Sequence, residues 1–202
     1  MNQDLISYKY TDAVIPHKFV ICGLTMRPFC LGHYMLLEYM QNPMINPEKV
    51  DIEMNDGLHW FFMALIICSL TYEDGIKLLS SEEDFKSVSK QFFDNLKKDM
   101  DIQGWNIFTK LNTFRDYVRY YLEMPIYTEE SQTSEPTTPS GTDWKQNMFL
   151  IFKKLGYDES DILNMNLKKL FYEWCSYAEG EGAIKVMNKV DLEQLKQLRK
   201  KK

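Results

Sequence analysis

The chain has 202 residues, of which 45% are apolar and 14% aromatic, enough for one medium-sized core with a small appendage and too apolar for a disordered chain. The net charge of −5 is uneven: residues 1–127 carry 12 basic and 17 acidic side chains, 128–142 add three acids, and 143–202 carry 12 basic and nine acidic groups. An acidic body is therefore followed by a basic end, which excludes a uniformly basic nucleic-acid binder.

In chain order, the first signal is His17–Leu24, a short β-branched run behind Pro16. It predicts a strand, paired with Ile6–Tyr10. Leu31–Met40 reads as a helix stopped before Pro43, with Met35, Leu36 and Tyr39 on one face. Asn42-Pro43 and Asn46-Pro47 break the chain. Asp56–Leu70 is apolar all round through WFFMALIIC and predicts the central, buried helix. Thr71 then caps a short helix carrying Glu73 and Asp74 in its first turn and Ile76, Leu78 and Leu79 on its apolar side. Ser81 caps a helix running to Lys98, with Phe85, Val88, Phe92 and Leu96 at three- and four-residue steps. A long aromatic helix is expected from Ile102 to Glu123, ended by Pro125.

Residues 128–142, TEESQTSEPTTPSGT, hold no large apolar group. Such a run cannot offset the entropy of ordering it and predicts a flexible linker. Beyond it, Asp143 and Gln146 have capping-box spacing before a helix that Gly156 stops. Asp158 opens one turn with Ile162 and Leu163, and Asn166 caps a helix with Leu167, Leu170, Phe171, Trp174 and Ala178 inward. Ala183–Met187 fits strand or coil, and Asp191–Lys202 fits an amphipathic helix. The expected architecture is mainly α: a helical body over 1–127 with a small N-terminal β element, a linker over 128–142, and a small tethered helical module over 143–202. A linker of that length spans roughly 20 Å root-mean-square.

Cys22, Cys30, Cys68 and Cys175 lie among apolar neighbours with no CxxC spacing, as buried reduced thiols do. The N-terminus has no basic-then-apolar signal pattern, and the longest apolar run, Trp60–Cys68, is about half of the ~20 residues a membrane span needs. A cytoplasmic location without membrane partners is expected. His17, His33 and His59 stand in no metal-binding spacing, and no glycine-rich phosphate loop occurs. Cys30 and His33 have nucleophile-and-base composition, but nothing in sequence supplies an orienting third group or oxyanion donors. The acids at 82–84 and 158–161 sit at helix starts, which the helix dipole already accounts for. The expectation is therefore a non-catalytic protein with no cofactor and no metal. Two other classes stay open: a DNA-binding regulator using helix 167–179, whose outward set Lys168, Lys169, Glu173 and Ser176 is thin, and a small enzyme using His33 or His59. Surplus aromatics suggest a partner surface, with Tyr120, Tyr121, Tyr127, Trp144, Phe149 and Trp174 as its candidate residues.

Three segments together carry a resemblance. Leu24–Tyr39 (LTMRPFCLGHYMLLEY), Leu65–Leu79 (LIICSLTYEDGIKLL) and Asn147–Ala178, with its L-G-Y, D-I-L-N-M and spaced Leu and Trp, resemble small bacteriophage and prophage tail assembly chaperones. The resemblance implies a helical binding protein that keeps a tape measure protein soluble and recruits tail tube subunits, in the bacterial host cytoplasm if phage-encoded. It supplies no catalytic residue. The acidic linker and basic C-terminus depart from the pattern.

Overall fold

A computed structural model describes residues 13–46, 56–103, 106–125, 127–129 and 143–186. Among them the fold is mainly α, as expected. Helices α1 (Leu31–Tyr39), α2 (Gly57–Ser69), α3 (Tyr72–Ser80), α4 (Glu82–Gln103), α5 (Ile107–Leu122), α6 (Trp144–Lys154), α7 (Glu159–Asn164) and α8 (Leu167–Gly180) are joined by short strands β1 (Val20–Ile21), β2 (Leu24–Thr25), β3 (Tyr127–Glu129) and β4 (Ile184–Val186). The chain clusters into two compact units: His17–Leu122 with Asp158–Leu167, and Met1–Pro16 with Glu123–Tyr157 and Lys168–Lys202.

In the larger unit the predicted strand His17–Leu24 is instead a hairpin. Cys22 (φ 51°) and Gly23 (φ 73°) are both left-handed, the conformation of a tight two-residue turn that matches strand twist. Val20 then pairs with Thr25 and Ile21 with Leu24. The proposed partner Ile6–Tyr10 lies outside the described residues. Helix α2 is the centre, as its continuous apolar run predicts: Phe61, Ala64, Leu65, Ile67 and Cys68 have no exposed surface. Helix α5 packs an aromatic column onto this core. Phe114 meets Phe61 edge-on at 5.8 Å, and Tyr117 meets Phe29 at 5.8 Å and Phe19 at 5.4 Å, the geometry aromatic quadrupoles favour. Both buried tyrosines place their hydroxyls on backbone carbonyls, Tyr117 on Arg27 (2.9 Å) and Tyr121 on His17 (3.1 Å).

The caps at Thr71 and Ser81 form as read: each hydroxyl accepts from the backbone N–H three residues on, Asp74 and Asp84. The helix expected to end at Lys98 runs on to Gln103, and the long helix expected from Ile102 starts at Ile107. Asn106 precedes α5, and its side chain accepts from the Phe108 N–H at 2.9 Å. The face assigned to α1 is also corrected. His33, Leu36 and Leu37 point inward, whereas Tyr39 is 81% exposed and Met35 is exposed.

The smaller unit holds α6, α8 and the two-stranded sheet of β3 and β4, with Tyr127 opposite Val186 and Glu129 opposite Ile184. Cys175, Ala178 and Ile184 form a small core, with Trp174 and Val186 against it. Asp143 caps α6 through the Lys145 N–H, not through a box with Gln146. Gly156 (φ 89°) ends α6, and the Tyr157 N–H returns to Phe152 O at 3.1 Å, the left-handed stop its position implies.

The division of the chain differs from a body and a tethered module. Thr128 and Glu129 belong to β3, and 130–142 lies outside the described residues. Glu129 and Asp143, which flank that stretch, are both in the smaller unit. The stretch thus joins two elements of one unit. Residues 158–167, read as part of the C-terminal module, belong to the larger unit. The helix expected over Asp191–Lys202 lies outside the described residues.

All four cysteines are buried and free. Burial pushes the Cys30 thiol up to about 12 and the Cys175 thiol up to about 11, and raises Cys68 as well. Thiolate is the reactive form. At pH 8 the native protein is therefore expected to release no colour with Ellman's reagent on mixing, and four equivalents after unfolding. Prompt reaction of any thiol in the native state would contradict the packing described here.

Candidate functional site

The first two segments that carry the resemblance, and residues Asp158–Leu167 of the third, meet within the larger unit. The first supplies the entry to α1. Cys30 and His33 cap it reciprocally: Cys30 Sγ accepts from the His33 N–H, and His33 Nδ1 accepts from the Cys30 N–H, each at 3.4 Å. His33 Nε2 lies 2.8 Å from Leu70 O. A carbonyl only accepts, so Nε2 carries the hydrogen and Nδ1 is left as the acceptor. Both ring nitrogens are thus engaged. Burial lowers the imidazole to about 4 and holds it neutral at pH 7.

The second segment supplies α2, Leu70 and α3. Gly32 on α1 lies against Tyr72: a Cβ on Gly32 would stand 2.6–2.8 Å from three Tyr72 side-chain atoms. Gly75 on α3 in turn faces Leu36. Two glycines at the crossing let the helices approach closely. Residues Asp158–Leu167 of the third segment lie across this pair as a strap. Asn164 Oδ1 accepts from the Tyr72 N–H (3.1 Å), and Asn164 Nδ2 reaches both Glu73 carboxylate oxygens at 3.0 Å. Ser160 Oγ donates to Glu73 Oε1 at 2.6 Å. The Ser160 and Asn164 donors hold the Glu73 carboxyl below its ordinary range. At the far end of the strap, Leu167 N–H donates to Phe29 O (2.9 Å) and Asn166 bridges Cys30. Within the strap, Ile162, Leu163 and Leu167 are buried.

Chemically this junction is a packing device. The Cys30–His33 pair has the residue types of a nucleophile and base, but the thiol is pushed up and the imidazole down, opposite to the shifts that activate such a pair. Asn164 and Glu73 were not singled out in sequence; the signal available was Glu73 in the first turn of a capped helix and the D-I-L-N-M string. Replacing Asn164 by Ala removes the acceptor for Tyr72 N–H and the donors to Glu73. The expected loss of unfolding free energy is about 2 kcal/mol, read from urea unfolding; a change under ~0.5 kcal/mol would show that the strap is not held there.

Of the candidate partner residues, Tyr120 and Tyr121 belong to the larger unit and Tyr127, Trp144, Phe149 and Trp174 to the smaller. Tyr121 is 1% exposed and is corrected to a core residue, because its position on α5 faces the aromatic column. Tyr120 is half-buried, its ring 5.8 Å from His17 and 5.9 Å from Phe19. Tyr127 lies in β3. Trp144 is exposed with its ring 5.9 Å from Phe171, Phe149 is half-buried, and Trp174 packs on the small core. A different aromatic group emerges in the larger unit: Phe62 and Phe92 on α2 and α4 flank Phe93, which is 46% exposed, with Leu58 exposed one turn before Phe62. On α8, Lys168 is 2% exposed and paired with Glu123 at 3.0 Å, and Lys169 pairs with Glu173 at 3.5 Å. Among the described residues, no three His, Cys, Asp or Glu side chains are grouped to hold a metal ion, and no helix is long and apolar enough to cross a membrane.

Among the described residues these features define a mainly helical protein of two compact units, the larger of which contains a packed, hydrogen-bonded junction. No protein-family model matches the chain, and no curated protein or solved structure matches it.

Proposed function

We propose that this is a non-catalytic binding protein that acts as a tail assembly chaperone, shielding apolar helical stretches of a tape measure protein and recruiting tail tube subunits. The observation that carries the reading is the junction. The residues quoted for the resemblance, among them Phe29, Gly32, His33, Tyr72, Glu73, Gly75 and Asn164, act on one another across three distant segments. Motif residues spent on packing suit a scaffold whose chemistry is recognition. The Leu58–Phe62–Phe93 patch is the surface offered to an apolar helix, since clustered exposed aromatics mark partner sites. The DNA-binding reading is weakened because Lys168 is buried and Lys169 paired, leaving α8 little to present to a groove. The tethered two-site arrangement is not carried forward, since Glu129 and Asp143 lie in the same unit.

The test is co-expression of the tagged chain with neighbouring tail genes. Specific capture of a long helical protein is expected, and Phe93→Asp and Leu58→Asp together should cut that capture at least tenfold without lowering the thermal midpoint. Capture of no such partner overturns the proposal.

A further inference from the structure

His33 is placed where a proton has nowhere to go without breaking the junction. Its Nδ1 faces the Cys30 N–H, a donor, so a hydrogen added there meets another hydrogen. Nε2 already spends its hydrogen on Leu70 O. The ring occupies the third position of α1, at the positive end of the helix dipole, where a cation is disfavoured. It is 1% exposed, and the Arg27 charge also opposes protonation.

Around it, the groups on other elements keep one charge from neutral to mildly acid pH. The thiols of Cys30, on the entry to α1, and of Cys68, on α2, are pushed up and stay neutral. The phenols of Tyr117 on α5 and Tyr72 on α3 are raised and stay neutral. Glu73, on α3 and under the strap, is lowered and stays ionised through most of the window, beside the acidic Glu159 of α7.

The strap hangs from the same few residues: Leu167 on Phe29 O, and Asn166 on Cys30. We propose that the junction is an acid-operated clasp, in which proton uptake by His33 undoes the Cys30–His33 cap and releases the strap Asp158–Leu167 from α1 and α3.

The direction follows from linkage. His33 binds a proton at its ordinary value of 6.5 when opened, and only at about 4 when closed. The opened form therefore binds more protons between those values, and closure weakens as pH falls. The effect is absent above pH 6.5 and complete below pH 4. Between pH 7 and pH 4.5 the opening equilibrium rises on the order of 60-fold.

Amide hydrogen exchange on the full chain tests this, as protection factors corrected for the intrinsic rate at pH 7 and pH 4.5. Peptides covering 159–167 should lose protection about 60-fold, whereas those covering α5 should keep theirs within about threefold. In His33→Gln the strap should show no such pH response. Unchanged strap protection, an equal acid loss in His33→Gln, or an equal loss across α5 each overturns the proposal. Should His33→Gln fail to fold, the wild type decides. The His33 ring nitrogens and the Leu167 amide should then titrate with one midpoint by nuclear magnetic resonance, and separate midpoints overturn the clasp.

Discussion

Phe29→Ala is expected to lower the unfolding free energy by about 4 kcal/mol, shifting the urea midpoint down by about 2 M at an unchanged slope. Phe29 has no exposed surface. Its ring sits 5.8 Å from Tyr117 and 6.0 Å from His33, so truncation leaves a cavity lined by two side chains that are themselves fixed. Tyr117 is held by its bond to Arg27 O and His33 by its bond to Leu70 O. Neither can swing in to fill the space, which puts the cost toward the upper part of the range for a buried phenylalanine. The backbone bond from Leu167 to Phe29 O survives the substitution in principle, but its acceptor loses the side chain that positions it. The result also tests what kind of motif this is. A phenylalanine that served a partner from the surface would cost within about 0.5 kcal/mol on removal.

Much of the helical frame is legible because the signals are local. Thr71 and Ser81 accept from N–H groups three residues on, and Gly156 takes a left-handed conformation; a capping hydroxyl or a helix-ending glycine acts within one turn and needs no tertiary information. The continuous run of α2 is likewise legible, since a helix apolar on every side must be surrounded. The errors come where a partner decides. Cys22 accepts a positive φ that sequence favours for Asn or Gly, because its side chain is fully buried, so a hairpin reads as one strand. On α1, Gly32 and His33 take the inward face from Met35 and Tyr39. A count of apolar residues by period cannot foresee that a glycine and a histidine are wanted inside.

The junction shows the same limit more sharply. Cys30 and His33 are visible in sequence as a pair, and their three-residue spacing fits a reciprocal cap as well as a dyad. The latch is not visible: Glu73 and Asn164 are 91 residues apart, and nothing near either one announces the other. Their pairing exists because α7 returns to the larger unit, a long-range connection that local propensity does not encode. The same return makes the acidic stretch at 128–142 look like a tether between two bodies, when the residues flanking 130–142 lie in one unit.

Gly32→Ala should cost about 3 kcal/mol, through one added methyl group. The new Cβ would lie 2.6 Å from Tyr72 Cδ2 and 2.8 Å from both Cβ and Cγ. Contact with the tyrosine Cβ is decisive. A ring edge can rotate away, but a Cβ moves only with its backbone, so α3 itself must shift from α1. That shift carries Tyr72 N–H away from Asn164 and strains the Leu70 carbonyl on which His33 rests. Gly75→Ala is the control at the same crossing. There the closest atom is Leu36 Cδ1 at 2.6 Å, the far end of a flexible side chain, with the next atoms at 4.0 Å; a rotamer change relieves it, and a cost of about 1 kcal/mol is expected. Urea unfolding of both variants separates the two cases. The clash is assigned by a double-mutant cycle, in which Gly32→Ala should become nearly neutral once Tyr72 is already Gly, which removes the Cβ as well as the ring, a coupling of about 2 kcal/mol. Additive effects in that cycle would mean that the glycine is required for a reason other than the approach of α3.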